Sequence, residues 1–402
     1  MDDLAQAFNS DGEMINLGGG NPSQIPAMDS VFRSRLQVLA QSDGGLERVM
    51  GVYGGPAGDP AFAQALAALL RRQCGWDVGP ENICITNGSQ SAFFALFNLL
   101  AGPADDGTSK KIMLPMAPEY VGYGDLGLAP DLFVSARPTI EFLDGKLFKY
   151  GVDFSALDIG DDIAAVCVSR PTNPTGNVLT DDEVSALRAL TRAADIPLIL
   201  DDAYGAPFPN IIFTDVTTTW DENTILCMSL SKLGLPGIRT GIVIAAEPVV
   251  RALSSVNALL SLAPSGMGPA IVHDLVESGE IIQLSKTVIE PHYRTRAEQA
   301  AGVLRRELAD YDTFVHKPEG SIFLWLWCRG LPVPSSVLYE RLKAQGVLVI
   351  SGEHFFPGLE DDPWPHKHEC LRLSYADQPE KVERGLKLVA QQVRRAYDEG
   401  AP

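Results

Sequence analysis

Basic charge is scarce in this sequence. Its 402 residues carry 32 Lys and Arg against 51 Asp and Glu, a formal net charge of −19. So acidic a surface repels nucleic acid and anionic membranes, although it leaves room for a local site that takes one small anion. Cysteine is sparse too. Cys74, Cys84, Cys167, Cys227, Cys328 and Cys370 are scattered, with no C-x-x-C pair. This speaks against a disulfide framework and a zinc site, and suits a reducing, cytoplasmic compartment. His366-Lys-His368 reads as ordinary loop, and no metal is expected. No apolar run reaches the roughly 20 residues of a membrane span. Met1–Ser10, with two early aspartates and no apolar core, does not read as a signal peptide. There is no internal repeat and no low-complexity linker.

What is present is globular. Hydrophobic residues make up 46% of the chain, and the length suits two or three domains. After a loop-rich start come short apolar strands alternating with helices: strands at 82–86, 111–114, 164–169, 197–200, 225–228 and 241–246, helices at 89–100 and 180–194. Thr180 with Glu183 three residues on forms a capping box for the second helix. This alternation predicts an α/β fold with a mostly parallel, doubly wound sheet. Beyond about residue 290, a long charged helix and an apolar strand at 321–327 suggest a smaller α+β domain. The expected organisation is an N-terminal segment (1–50) packing with the small domain, a large domain (51–289) and a small C-terminal domain (290–402).

In doubly wound sheets ligands bind at the carboxyl ends of the strands, and those ends are unusually polar here. Thr86-Asn-Gly-Ser-Gln90 opens a helix, so the N–H groups of Gly88, Ser89 and Gln90 form a candidate phosphate cradle. Alone, such a turn is more often a plain helix cap. Pro118-Glu-Tyr-Val-Gly-Tyr123 offers a ring able to stack on a flat ligand. Arg170-Pro-Thr-Asn-Pro-Thr-Gly176 presents Asn173 on a rigid turn, and Asp201-Asp-Ala-Tyr204 brings a carboxylate and a phenol. Ser229-Leu-Ser-Lys232 places a lysine where desolvation lowers its pKa, with Arg239 seven residues later. Cradle, ring, amide, carboxylate, phenol, lysine and arginine together are what a phosphorylated, planar, electron-sink aldehyde requires. That describes pyridoxal 5'-phosphate (PLP).

With Leu371-Arg-Leu-Ser-Tyr375, these motifs resemble the class I and II aminotransferases of PLP fold type I. The resemblance covers nearly the whole chain. It implies that Lys232 binds the cofactor covalently and moves the reacting proton. Asp201 would face the ring nitrogen, Asn173 and Tyr204 the ring's 3-oxygen, and Tyr120 the ring face. Gly88, Ser89, Gln90, Ser229 and Arg239 would hold the phosphate, with Tyr53 reaching the phosphate of the other subunit of a homodimer. Arg372 would clamp the substrate carboxylate, with Gly20 and Asn173 beside it. The Lys232–Arg239 spacing is seven, where many relatives have eight.

Further stretches are most similar to family members that move an amino group between valine and pyruvate: Leu17-Gly-Gly-Gly-Asn-Pro-Ser-Gln-Ile-Pro26, Thr86-Asn-Gly-Ser-Gln-Ser-Ala-Phe-Phe94 and Cys227-Met-Ser-Leu-Ser-Lys-Leu-Gly-Leu-Pro-Gly237. The alternatives are an alanine or aromatic aminotransferase and, in another class, an aminotransferase-like transcription regulator. The strongly negative charge opposes the last.

Overall fold

The computed structural model describes residues 14–400. The stretch 1–10, read above as no signal peptide, lies outside them, as do residues 11–13 of the N-terminal segment.

The larger sheet runs in the order Ile83–Thr86, Gly241–Ile244, Thr224–Ser229, Leu198–Asp201, Ile163–Ser169, Ser109–Leu114, with Gly102–Pro103 and Phe133–Ser135 both attached to the last of these. Its middle strands are parallel, while Gly241–Ile244 is antiparallel to both neighbours. Side chains alternate across a strand, and both faces are covered. Ile83, Ile85, Val166, Val168, Leu198, Leu200, Leu226 and Met228 enter one core. Cys84, Ala165, Cys167, Ile199, Ile225 and Cys227 enter the other, against Phe93, Leu96 and Phe97 of the helix Ser89–Leu100. This explains the continuous apolar strands in the sequence, which carry no polar face. The capping box forms as expected: the Thr180 hydroxyl accepts from Glu183 N, and the Glu183 carboxylate accepts from Thr180 N at the start of Asp181–Ala193.

The second sheet has the order Ile350–Ser351, Cys370–Ser374, Phe323–Cys328, Thr313–His316, Leu147–Gly151, Thr139–Leu143. The last two strands lie within the 51–289 span assigned to the large domain. They are nevertheless hydrogen-bonded into this sheet, Leu147 and Phe148 pairing in parallel with Val315 and His316. The cause is aromatic packing. Phe142 meets Phe314 and Trp327 at 5.0 and 5.8 Å between ring centroids, and Phe148 meets Trp327 at 5.5 Å. The N-terminal segment also divides its contacts. Ile15–Asn16 pairs with Val347–Leu348, whereas the helix Pro26–Gln41 lies on Met267–Ser278 beside the larger sheet.

Candidate active site

The carboxyl ends of Ile83–Thr86, Ile163–Ser169, Leu198–Asp201 and Thr224–Ser229 face the same region. At the first, Gly88 precedes the helix Ser89–Leu100 with φ +94°. A side chain would be strained there, and a Cβ would lie 2.3 Å from Arg239 Nη2. The glycine thus lets a guanidinium rest against a helix N-terminus, whose first N–H groups have no intrahelical partner. Arg239, itself at φ +56°, donates from Nη1 to Pro236 O (3.3 Å) and Ser231 Oγ (3.5 Å). These acceptors are neutral, so its charge remains available to an anion. The chain between Lys232 and Arg239 passes through a short 3-10 turn, Pro236–Ile238. Ser229 is buried, and its Oγ accepts from Ser231 N at 3.1 Å. The Gln90 amide donates to Gly122 O at 3.4 Å, which ties the helix to the Tyr120 loop.

Asp201 ends its strand buried. Its Oδ2 accepts from Tyr123 OH at 2.8 Å and its Oδ1 from Ala203 N at 3.0 Å. Burial raises its pKa to about 6, against the pull of Tyr123, Ala203 N and Lys232. A cation hydrogen-bonded to it would restore full ionisation. Its neighbour Asp202 turns away to line a separate small cavity with Arg170 and Trp76. Tyr120 stands edge-on to Tyr123, with 5.4 Å between ring centroids. The Tyr204 ring lies 5.2 Å from Lys232 Nζ.

Lys232 Nζ donates to Gly20 O, and among the described residues no carboxylate is hydrogen-bonded to it. Burial, then Arg372 and Arg239, lower its pKa to about 8. Arg372 is buried as well. Nη1 donates to Asn173 Oδ1 at 2.9 Å, Nη2 donates to Gly18 O, and Nε has no partner among the described residues. The guanidinium carbon lies 4.0 Å from the Phe323 ring centroid and 5.1 Å from that of Phe355. Desolvation lowers its pKa to about 10. The Gly18–Gly20 loop is shaped by Asn16, whose Oδ1 accepts from Gly18 N (3.1 Å) and Gly19 N (2.8 Å). A Cβ on Gly20 would come within 3.8 Å of Lys232 Nζ.

Of the residues singled out from sequence, only Tyr53 lies apart. It is 82% exposed, on a groove with Arg48, Met50, Ser265 and His273. The role of Tyr123 is not legible in the sequence, where it stands only as a second aromatic three residues after Tyr120. Tyr123→Phe removes a hydrogen bond to a buried carboxylate, so kcat should fall about tenfold with KM nearly unchanged in steady-state assays. Unchanged kcat would mean that Asp201 needs no such support.

A family model described as aminotransferase class I and II matches residues 135–389. The chain belongs to this family. The aminotransferase is 50% identical over 399 residues to the valine–pyruvate aminotransferase of Escherichia coli K12, covering 99% of this chain and 95% of that one. It is similar in structure to a putative amino-acid aminotransferase from Psychrobacter arcticum (TM-score 0.96, 45% identity, 99% and 95% of the two chains). It is also similar to a valine–pyruvate aminotransferase from Salmonella typhimurium LT2 (TM-score 0.92, 50% identity, 99% and 100% covered). The fold is PLP fold type I, and the enzyme is a PLP-dependent transaminase. Its residues fit that cofactor: an uncommitted guanidinium against a helix N-terminus, a buried carboxylate without a hydrogen-bonded cation, and an amine of lowered basicity.

Proposed function

We propose that this aminotransferase moves the amino group of valine to pyruvate by a ping-pong mechanism, forming 3-methyl-2-oxobutanoate and alanine. The observation that carries the reading is Arg372. A buried guanidinium held only by neutral oxygens, with Nε unpartnered, is costly until an anion joins it. A planar amino-acid carboxylate matches its fork. Arg239 and Arg372 both act on Tyr120 and on Lys232. Once one holds phosphate and the other the α-carboxylate, neither remains for a side-chain carboxylate. That favours a small apolar donor over aspartate or glutamate, in keeping with the valine–pyruvate relatives.

When bound, the cofactor supplies an electrophilic carbonyl and a ring that accepts electrons from the substrate α-carbon. In this reading Arg239, Gly88, Ser89, Gln90 and Ser229 hold its phosphate, and Tyr120 covers its ring. Asn173 and Tyr204 meet its 3-oxygen. Asp201, supported by Tyr123, keeps the ring nitrogen protonated. Lys232 anchors it and, once released, takes the proton from the substrate α-carbon through Nζ. Arg372 orients the substrate so that this proton faces Nζ, and Gly20 lets the backbone approach the carboxylate.

The protein works as a homodimer in this reading. Met50, Val52, Tyr53, Leu259, Leu260 and Leu262 are all more than half exposed, and such apolar surface suits burial against a second copy. Tyr53 would then reach the partner's phosphate site. No described helix is long and apolar enough to cross a membrane. The acidic surface and the scattered free cysteines favour a cytoplasmic enzyme.

The test adds valine, alanine, glutamate and phenylalanine singly to the PLP-loaded protein while its visible absorption is followed. Rapid bleaching by valine and alanine alone is expected. Bleaching by glutamate or phenylalanine instead would keep the transaminase and replace the substrate pair with that of an aromatic or other family member.

A further inference from the structure

Glu119 has no part in the roles assigned above, yet it is one of the most enclosed charged side chains in the protein, with 0% exposure. Its Oε1 accepts from Ser169 N at 2.8 Å, and its Oε2 accepts from Tyr120 N at 3.3 Å and is hydrogen-bonded to the Ser169 hydroxyl. Its own N–H donates to Phe355 O at 2.8 Å. Ser169 is the register partner of Asp201 in adjacent parallel strands. Two carboxyl groups therefore stand at neighbouring strand ends.

The titratable groups facing Glu119 are Asp201 on the adjacent strand, Tyr123 on its own loop and Cys167 on the strand of Ser169. None is a cation, and no ion pair to Glu119 occurs among the described residues. Burial, reinforced by Asp201 and opposed by the Ser169 and Tyr120 hydrogen bonds, raises its pKa to about 8. A carboxyl so placed holds its proton at neutral pH, with the Ser169 hydroxyl positioned to accept it.

We propose that Glu119 is a positioning residue acting as a neutral carboxylic acid, which clamps the backbone of Tyr120 to the Ser169 strand end and ties that clamp to the Phe355 turn against which Arg372 packs. The ring over the cofactor is then held through the Glu119 side chain, and the platform under the carboxylate-binding guanidinium through its backbone N–H. Its neutrality leaves Asp201 as the single negative charge facing the ring nitrogen. The inference rests on the cofactor placement proposed above.

The experiment measures the PLP dissociation constant, the pH midpoint of the visible band and the KM for the amino donor. It compares the wild type with Glu119→Gln, Glu119→Ala and Ser169→Ala. Glutamine keeps the neutrality but has one accepting oxygen where the acid has two, so the longer Tyr120 bond is lost, and affinity about threefold below wild type with an unmoved midpoint is expected. Alanine leaves the Ser169 and Tyr120 donors buried and unpaired but keeps the backbone bond to Phe355 O, so about tenfold weaker PLP binding is expected with the donor KM within about twofold. Should the alanine variant fail to fold, Ser169→Ala tests the clamp from its other side, with PLP binding weakened about threefold. A shifted midpoint in Glu119→Gln would show that the wild-type group is ionised and overturn its neutral role. Wild-type affinity in Glu119→Ala or in Ser169→Ala would overturn the clamp. Wild-type protein without a visible band would instead overturn the cofactor placement, and the clamp with it.

Discussion

Lys232→Ala should reduce turnover by about 10⁴-fold or more, because one substitution removes both the covalent anchor and the group that moves the α-proton. The protein should still fold and retain PLP weakly through the Arg239 side of the site, which shares no hydrogen bond with Lys232. Steady-state rates together with the absorption spectrum check this. A variant still turning over at a tenth of the wild-type rate would place the base elsewhere. The basicity of the amine can be read separately. Its pKa is lowered to about 8, first by burial and then by Arg372 and Arg239. The neutral, nucleophilic fraction therefore grows about tenfold per pH unit up to that point and levels off above it. Trapping of Lys232 by a simple aldehyde and borohydride, followed by peptide mass analysis, should plateau above about pH 8. A rate still climbing at pH 10 would mean that the amine keeps its ordinary basicity.

Arg372→Lys is expected to be nearly as damaging, despite keeping the charge. The guanidinium meets Asn173 Oδ1 and Gly18 O with its two terminal nitrogens while lying over Phe323. An ammonium offers no planar fork and no face to stack. Losing even one charge-assisted hydrogen bond costs about 1.5–3 kcal/mol. The KM for amino donor and for 2-oxo acid should therefore each rise about 100-fold, with little change in the visible spectrum of the bound cofactor. The pairing of the two effects is diagnostic, because both substrates present the same carboxylate. If KM rose for one substrate alone, Arg372 would be reading a side chain.

The chemistry at the strand ends was legible because it is local. Asp201 closes an apolar strand, Gly88, Asn173 and Lys232 each lie within four residues of the end of one, and a parallel sheet brings its strand ends to one edge. The capping box of Thr180 was legible for the same reason, since its partners are three residues apart. What is not legible there is settled by distant contacts. The hairpin 139–151 carries nothing that names its sheet, and it is claimed by Phe314 and Trp327, far along the chain. Glu119 in sequence is one loop acid among many, and only enclosure by Ser169 and Phe355 sets it apart. Tyr53 is exposed on a single chain because the role proposed for it lies with another subunit.

The same hairpin sets a schedule for biogenesis. Its strands leave the ribosome long before Thr313–His316, the strand that Leu147–Gly151 pairs with. At about 5–20 residues per second the interval is on the order of ten seconds. Through that time a two-stranded ribbon bearing Phe142 and Phe148 must wait with an open hydrogen-bonding edge, the kind of surface that recruits foreign strands. Chaperone dependence during synthesis should therefore concentrate on this stretch, and a nascent chain halted before residue 313 should be the form most prone to aggregate.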